Sequence, residues 1–403
     1  ATYTLTTGTF SNLDLTSYLP KPLFDTADPG ATGTDSTAAY TAATGNPTSS
    51  NAYVTSQQTG TYYLAQAPNG VTASAQSVDA TANSVGFQLS DKSTTPEAGQ
   101  TVTVLFTVKA TDAAFANGLL MTSQEQAQFT NGLNATNPQT ISIMQSPVGS
   151  PQAVLKTGIV SVVNNANSNT TDDNVTYAVQ DTSLPTSSTT GALVQSNDDN
   201  VSNVQGNETV RIATTVDNTG NGGMYNLVVK GTLPTGVSAS SITSLTLTPS
   251  DSRVPVTITD STQIANYFSS TGLNLAGVLA PAETGKTGEV LAAKGTDGTI
   301  DSLTITYDVA VPTSFDPGST QTAGAQVVQY SNTNDAGASN FVSTSGTTPV
   351  QLGGTSNGAD IADKATIAMM APTITQTLSQ SVIHNPGSYT HLRAHETVLD
   401  LVC

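Results

Sequence analysis

Three observations predict an all-β protein with long decorated loops. Segments rich in Val, Ile and Thr alternate apolar and polar residues with a period of two, as half-buried strands do. Clusters of Gly, Asn, Asp and Pro, which suit tight turns, punctuate those segments. Long helix-forming side chains are few: charged residues make up 10% of the chain, aromatic residues 5%, and Trp is absent. Abundant Thr and Val favour strands over helices. The hydrophobic content of 36% is low for a globular chain, but regular alternation keeps it out of the disordered class. A length of 403 residues implies two or three domains, each with its own core.

In chain order, residues 1–10 read as a first strand, with Tyr3 and Leu5 on one face. The same segment could instead be a donor strand that completes the sheet of a neighbouring subunit. Residues 28–60, rich in Thr, Ala, Ser, Gly and Asn, read as a long loop with short strands. Strands follow at 71–78 and 84–89, then at 95–111, which opens on Gly99-x-x-Val102. Residues 113–129, with Leu, Met, Ala, Gln and Glu, predict a short helix crossing between sheets. Residues 146–151, with two prolines and a glycine, mark a domain junction, so the first domain spans 1–150.

The second domain, 151–350, opens on a strand at 153–163 and contains the most informative stretch, Gly206–Val237. Residues 209–216 alternate as a strand. Asp217-Asn-Thr-Gly-Asn-Gly-Gly223 reverses the chain, Met224 to Lys230 returns, and Leu233-Pro-Thr-Gly236 turns again. Further strands are expected at 244–248, 254–259, 302–311 and 325–330. Insertions are expected near 164–205 and 260–300, the latter holding a short helix over 264–279.

The run Gly-Asn-Glu-Thr-Val, Val-Asp-Asn-Thr-Gly-Asn, Gly-Thr-Leu-Pro-Thr-Gly-Val over 206–237 resembles a repeat family of bacterial and archaeal surface proteins. That family was long catalogued as a domain of unknown function. The resemblance covers about thirty residues closely and about half of the chain loosely. It implies tandem immunoglobulin-like β-sandwiches of the kind strung together in surface layers, sheaths, adhesins and cell-wall-anchored proteins. The Gly99 opening echoes Gly206, which extends the sandwich reading to the first domain.

Residues 351–387 read as a linker and the start of a further repeat, with the segment from Ala371 as its first strand. Residues 388–403 resemble one reading frame of a sequencing-library adaptor. The local composition agrees, since all three His and the only Cys fall at 384 or later. The tail is read as non-native, and the alternative, a metal site at His391, His395 and Cys403, is disfavoured. The start at Ala1 fits a mature exported chain, secreted or at the cell surface. No apolar run of about eighteen residues is present, so no membrane span is expected.

The formal net charge of −18 argues against nucleic acid or anionic lipid as a partner. It fits a secreted surface that holds divalent cations, or one that is simply kept soluble. Acidic loop clusters at Asp172-Asp173-Asn174 and Asn197-Asp198-Asp199-Asn200 are candidate Ca²⁺ ligands, because Ca²⁺ needs several hard oxygens at once. Neither matches a complete calcium-loop pattern. The resemblance adds a candidate isopeptide bond of the kind found in related surface sandwiches, from a first-strand Lys to a last-strand Asn with an acid nearby. Lys156 is placed for the first role, Asn332 or Asn340 for the second, and Glu208 or Asp308 for the third.

Asn134, Asn169, Asn174, Asn200 and Asn207 begin glycosylation sequons, which Asn- and Thr-rich chains also produce by chance. A single His before the tail leaves no material for a Ser-His-Asp triad, and the scarcity of aromatics argues against a sugar-cleaving site. The sequence therefore predicts a non-enzymatic structural protein that self-assembles into a homo-oligomer or polymer, with carbohydrate or cell wall as a possible contact. An adhesin or stalk module is the alternative.

Overall fold

The computed structural model describes residues 2–5, 11–21, 23–24, 62–66, 73–79, 81–89, 100–106, 113–130, 140–164, 170–171, 174–187, 193–335, 337–345, 348–354 and 360–376. Their architecture is all-β, as the composition predicts. Strands up to residue 147 form two sheets, and strands from residue 153 form two larger sheets and a separate two-stranded ladder over 342–351.

The first group contains β1 (Thr2–Leu5), β2 (Ser11–Tyr18), β3 (Tyr62–Gln66), β4 (Ala73–Asp79), β5 (Ser84–Leu89), β6 (Gln100–Phe106), β7 (Leu120–Thr130) and β8 (Thr140–Pro147). A three-stranded sheet runs β1-β6-β3, and a five-stranded sheet runs β4-β5-β2-β7-β8. Leu13, Leu15, Val85, Phe87 and Leu89 bury one face of the larger sheet, spaced by the period of two that a strand imposes. Tyr3 on β1 reaches across to donate to Glu125 on β7 at 2.8 Å. The first strand is thus paired with β6 of its own chain, along Thr2↔Thr103 to Leu5↔Gln100.

The helix expected over 113–129 is not formed. Residues 113–117 lack regular structure, Gly118 turns with φ +77°, and β7 occupies the rest. Gln, Glu, Ala and Leu favour helices individually, yet Gln124, Gln126 and Gln128 recur at the strand period. Pairing with β2 on one side and β8 on the other outweighs intrinsic propensity.

The second group begins with β9 (Ala153–Asn164), β10 (Thr170–Thr171), β11 (Thr176–Val179), β12 (Asp199–Val204), β13 (Thr209–Asn218), β14 (Met224–Thr232), β15 (Leu245–Pro249) and β16 (Val256–Ile258). Helix α1 (Ser261–Tyr267) follows, then β17 (Leu273–Asn274), β18 (Glu289–Leu291), β19 (Asp301–Ala310), β20 (Thr320–Ser331), β21 (Val342–Ser345), β22 (Thr348–Gln351) and β23 (Ala362–Met369). One sheet runs β10-β9-β13-β19-β15-β16. The other runs β11-β12-β23-β20-β14-β17, with β18 also paired to β14. A continuous core from Ala153 to Met369 fills the space between them.

β13 and β14 exist where the sequence places them but do not form a hairpin. β13 pairs with β9 and β19, while β14 pairs with β20 and β17 in the opposite sheet. Nearly every residue of β13 is buried, which suits a central strand covered on both faces. Its core also includes hydroxyls: Thr157 bonds Thr214 at 3.2 Å and Thr215 bonds Thr304 at 3.0 Å, so a Thr-rich strand packs without orphaned polar atoms there.

The linker expected at 351–387 is also revised. β23 lies between β12 and β20, parallel to the first and antiparallel to the second, so the second core extends to residue 369. Residues 371–376 carry no strand, and the remainder of the expected repeat and the tail fall outside the described residues. Helix α1 matches the start of the short helix expected over 264–279, capped by Asp260, whose carboxylate accepts from Thr262 N and Gln263 N.

The junction at 146–151 is packed rather than free. Asn117 Oδ1 accepts from Ser150 N at 3.2 Å and from Asn221 N at 3.1 Å, so one side chain of the first unit holds the crossing and the turn at 217–223 together. Asn218, fully buried, accepts from Gln152 N and Gly220 N and donates to Gly222 O and Ala292 O. Gly220 is required by proximity, because a methyl there would run into Ser150 O and Gln152 N.

Candidate functional site

The densest group of charged side chains sits where the two sheets of the second unit meet. Lys156 extends from β9. Asp181 follows β11, Asp198 precedes β12 and Asp363 lies on β23. Lys156 Nζ is 3.1 Å from Asp181 Oδ2 and 3.9 Å from Asp198 Oδ2. Asp363 Oδ2 accepts from Thr157 N at 2.8 Å. Gln180 donates to Thr157 O at 3.3 Å and to Asp198 Oδ1 at 3.4 Å. Gly158 makes the approach possible, since a methyl there would strike Asn197 O and Asp199 N.

The electrostatics follow from burial. Asp198 is wholly buried, and burial, followed by the charge of Asp363, pushes its carboxyl up to about 7. Asp181, at the rim, is held down to about 2 by the Ser183 hydroxyl and then by Lys156. Burial pulls the Lys156 ammonium down, but the Asp181 hydrogen bond and the charges of Asp198 and Asp363 more than offset it and raise it. The cluster is a fastener between sheets, with an ammonium where a metal would otherwise balance the carboxylates.

This geometry revises several expectations. Asp198 faces inward to Lys156 instead of lining an open loop, so it is not placed as a calcium ligand. Asp199 keeps a buried Oδ1 without a hydrogen-bond partner, and its carboxyl is raised by burial. Asp172 and Asp173 lie outside the described residues. Among the described residues, no group of three or more His, Cys, Asp or Glu is arranged to hold a metal.

Of the isopeptide candidates, Lys156 meets aspartates and not the expected asparagines. Asn340 Oδ1 accepts from Tyr330 N and Val342 N. Asn332 Oδ1 is buried without a hydrogen-bond partner. Asp308 pairs with Arg211 at 2.8 Å on an exposed face. Lys156 is registered with Thr215 and Asp308 with Arg211, four residues along β13, about 13 Å at the usual strand rise. Glu208 accepts from Gln205 N at the far end of that strand.

The sequon residues divide similarly. Asn174 and Asn207 are exposed, the latter with φ +70°. Asn200 instead accepts from Thr366 N and Thr366 Oγ1, joining β12 to β23. Asn134 and Asn169 lie outside the described residues. Of the donor-strand candidates, Tyr3 is committed to Glu125, and Leu5 lies on the paired strand β1.

Sequence reasoning missed Asp181, Asp363 and Arg253. Arg253 is mostly buried and bonds Asp251 at 2.6 Å, Ala280 O at 3.0 Å and Val290 O at 2.9 Å, with Asp301 at 3.5 Å. The available signal was scarcity: with 11 Lys and Arg in the chain, a cation between two strands needs a reason.

No protein-family model matches the chain, and no curated protein matches it. Among solved structures, a point mutant of the adhesin CfaE from CFA/I enterotoxigenic E. coli aligns with 8% identity over 79% of this chain and 85% of that one, at a TM-score of 0.23. A protein of Corynebacterium diphtheriae described as membrane-anchored aligns with 11% identity over 94% of this chain and 89% of that one, at a TM-score of 0.20. Scores this low carry no argument about fold or role. Among the described residues, no helix is long and apolar enough to cross a membrane.

Proposed function

We propose that this chain is an extracellular structural protein, a subunit of a surface layer, sheath or filament that assembles through β-sandwich contacts. The observation that carries the reading is the packed junction, where Asn117, Asn218 and Gly220 tie the crossing segment into the turn at 217–223. A chain built to bear load gains from such a seam, because a free linker would yield first. The charged clusters are spent in the same way: Lys156 fastens two sheets and Arg253 pins the segment around 280–291. The reading includes no catalytic step. Calcium would enter as a bridge between subunits, through loop acids.

The test is the purified full chain at rising concentration, followed by light scattering with calcium and with EDTA. Ordered oligomers or polymers are expected, and dissolution by EDTA would assign the bridge to calcium. A monomer under all these conditions contradicts the reading.

One observation favours the adhesin alternative. A cleft of about 320 Å³ is lined by Lys230, Thr232, Leu233, Phe268 and Ser269, combining an aromatic ring with hydroxyls and a cation. Such a surface suits a carbohydrate. Glycan-array binding lost in Phe268→Ala would move the assignment to an adhesin.

A further inference from the structure

The most unusual surface of the molecule is the edge strand β8, Thr140–Pro147. It is the last strand of its sheet and pairs with β7 from Leu120↔Pro147 to Ala127↔Thr140, without a bulge. Among the described residues no other strand pairs with it. Residues 141–147 are exposed on both faces, including Ile141 at 52%, Ile143 at 64% and Met144 at 61%.

Natural edge strands are usually shortened, bulged, charged with Lys or interrupted by Pro, because a free row of N–H and C=O groups invites another strand. β8 has none of these devices along its length; its one proline stands at the end. Its sequence, TISIMQSP, carries no charge in a chain of net charge −18. On β7 the one nearby acid, Glu125, is occupied by the hydroxyls of Tyr3 and Ser17. The patch is therefore the place where two copies of an acidic protein approach without carboxylate repulsion.

We propose that β8 pairs antiparallel with β8 of a second copy, joining two five-stranded sheets into one continuous sheet across a twofold axis. Antiparallel pairing makes a single strand its own complement, as a closed twofold contact requires. An axis at Ile143 sets it against Ile143 of the partner subunit and sets Ser142 against Met144 of the partner subunit. β1 and β11 also end their sheets, but each offers four residues against the eight of β8. The inference rests on the reading of the chain as a self-assembling protein and names one of its contacts.

The test uses the full chain. Sedimentation equilibrium should show a dimer or larger species that Ile143→Lys weakens at least tenfold, with the melting temperature unchanged at concentrations where both chains are monomeric, because the side chain is exposed there. Hydrogen exchange on the unaltered chain, at low and high concentration, should show protection of β8 amides that grows with concentration. Assembly that persists in Ile143→Lys with β8 amides unprotected overturns the β8 contact and leaves the structural reading intact. A chain that stays monomeric to about 100 µM overturns both. Concentration-dependent protection at β8 supports the contact even if the variant fails to fold.

Discussion

Asp198 is stable in the fold only as an acid or beside a cation, and that sets a pH dependence. Its folded carboxyl titrates near 7, above the unfolded value of about 3.9, so folding takes up a proton between those limits. The unfolded chain binds fewer protons there, and the stability from this group, complete below about pH 4, is lost as pH rises through 7. Asp198→Asn should therefore raise the melting temperature at pH 8 more than at pH 5, measured by calorimetry; an equal shift at both would contradict the assignment. Asp181 has the opposite sign: its contribution is present above the unfolded carboxylate value and fades as pH falls through about 2. Arg253 is the second residue to probe. Removing it leaves Asp301 buried without its cation and Ala280 O and Val290 O without their donor. Arg253→Ala should cost about 3–5 kcal/mol in denaturant unfolding, as loss of one partner of a buried pair does.

At the scale of elements, the turn at 217–223 and the junction form one unit. Asn218→Ala strands Gln152 N and Gly220 N and should cost about 2–3 kcal/mol. Asn117→Ala should leave each core intact while loosening the crossing, seen as faster hydrogen exchange at Ser150 and Asn221 with little change in overall melting. The strands of this region were legible because β-branched alternation from Thr209 and the Asn-Thr-Gly cluster are local signals. Their pairing was not legible, because a turn of this composition serves a hairpin and a crossing between sheets equally well. β7 was misread since Gln, Ala and Leu favour helices, and the period of two in Gln124, Gln126 and Gln128 was the better guide. The carboxylates around Lys156 were hidden for another reason. Asp363 lies on β23, a strand far along the chain that the sequence assigned to a linker, and only the topology brings it beside β9.

At the scale of the molecule, the described chain has two groups of sheets joined by a packed seam, with the long uncharged edge strand β8 left open on a chain of net charge −18. On the proposed reading these features make a building unit: cores fastened from within, a hydrogen-bonded junction, and a strand available to extend its sheet. Electron cryotomography of the native cell surface tests that claim most directly. The account predicts this chain in density repeating at a regular spacing, as a lattice or filament, with neighbouring units in contact. The same protein found as isolated stalks with no repeat and no contact between copies would contradict it.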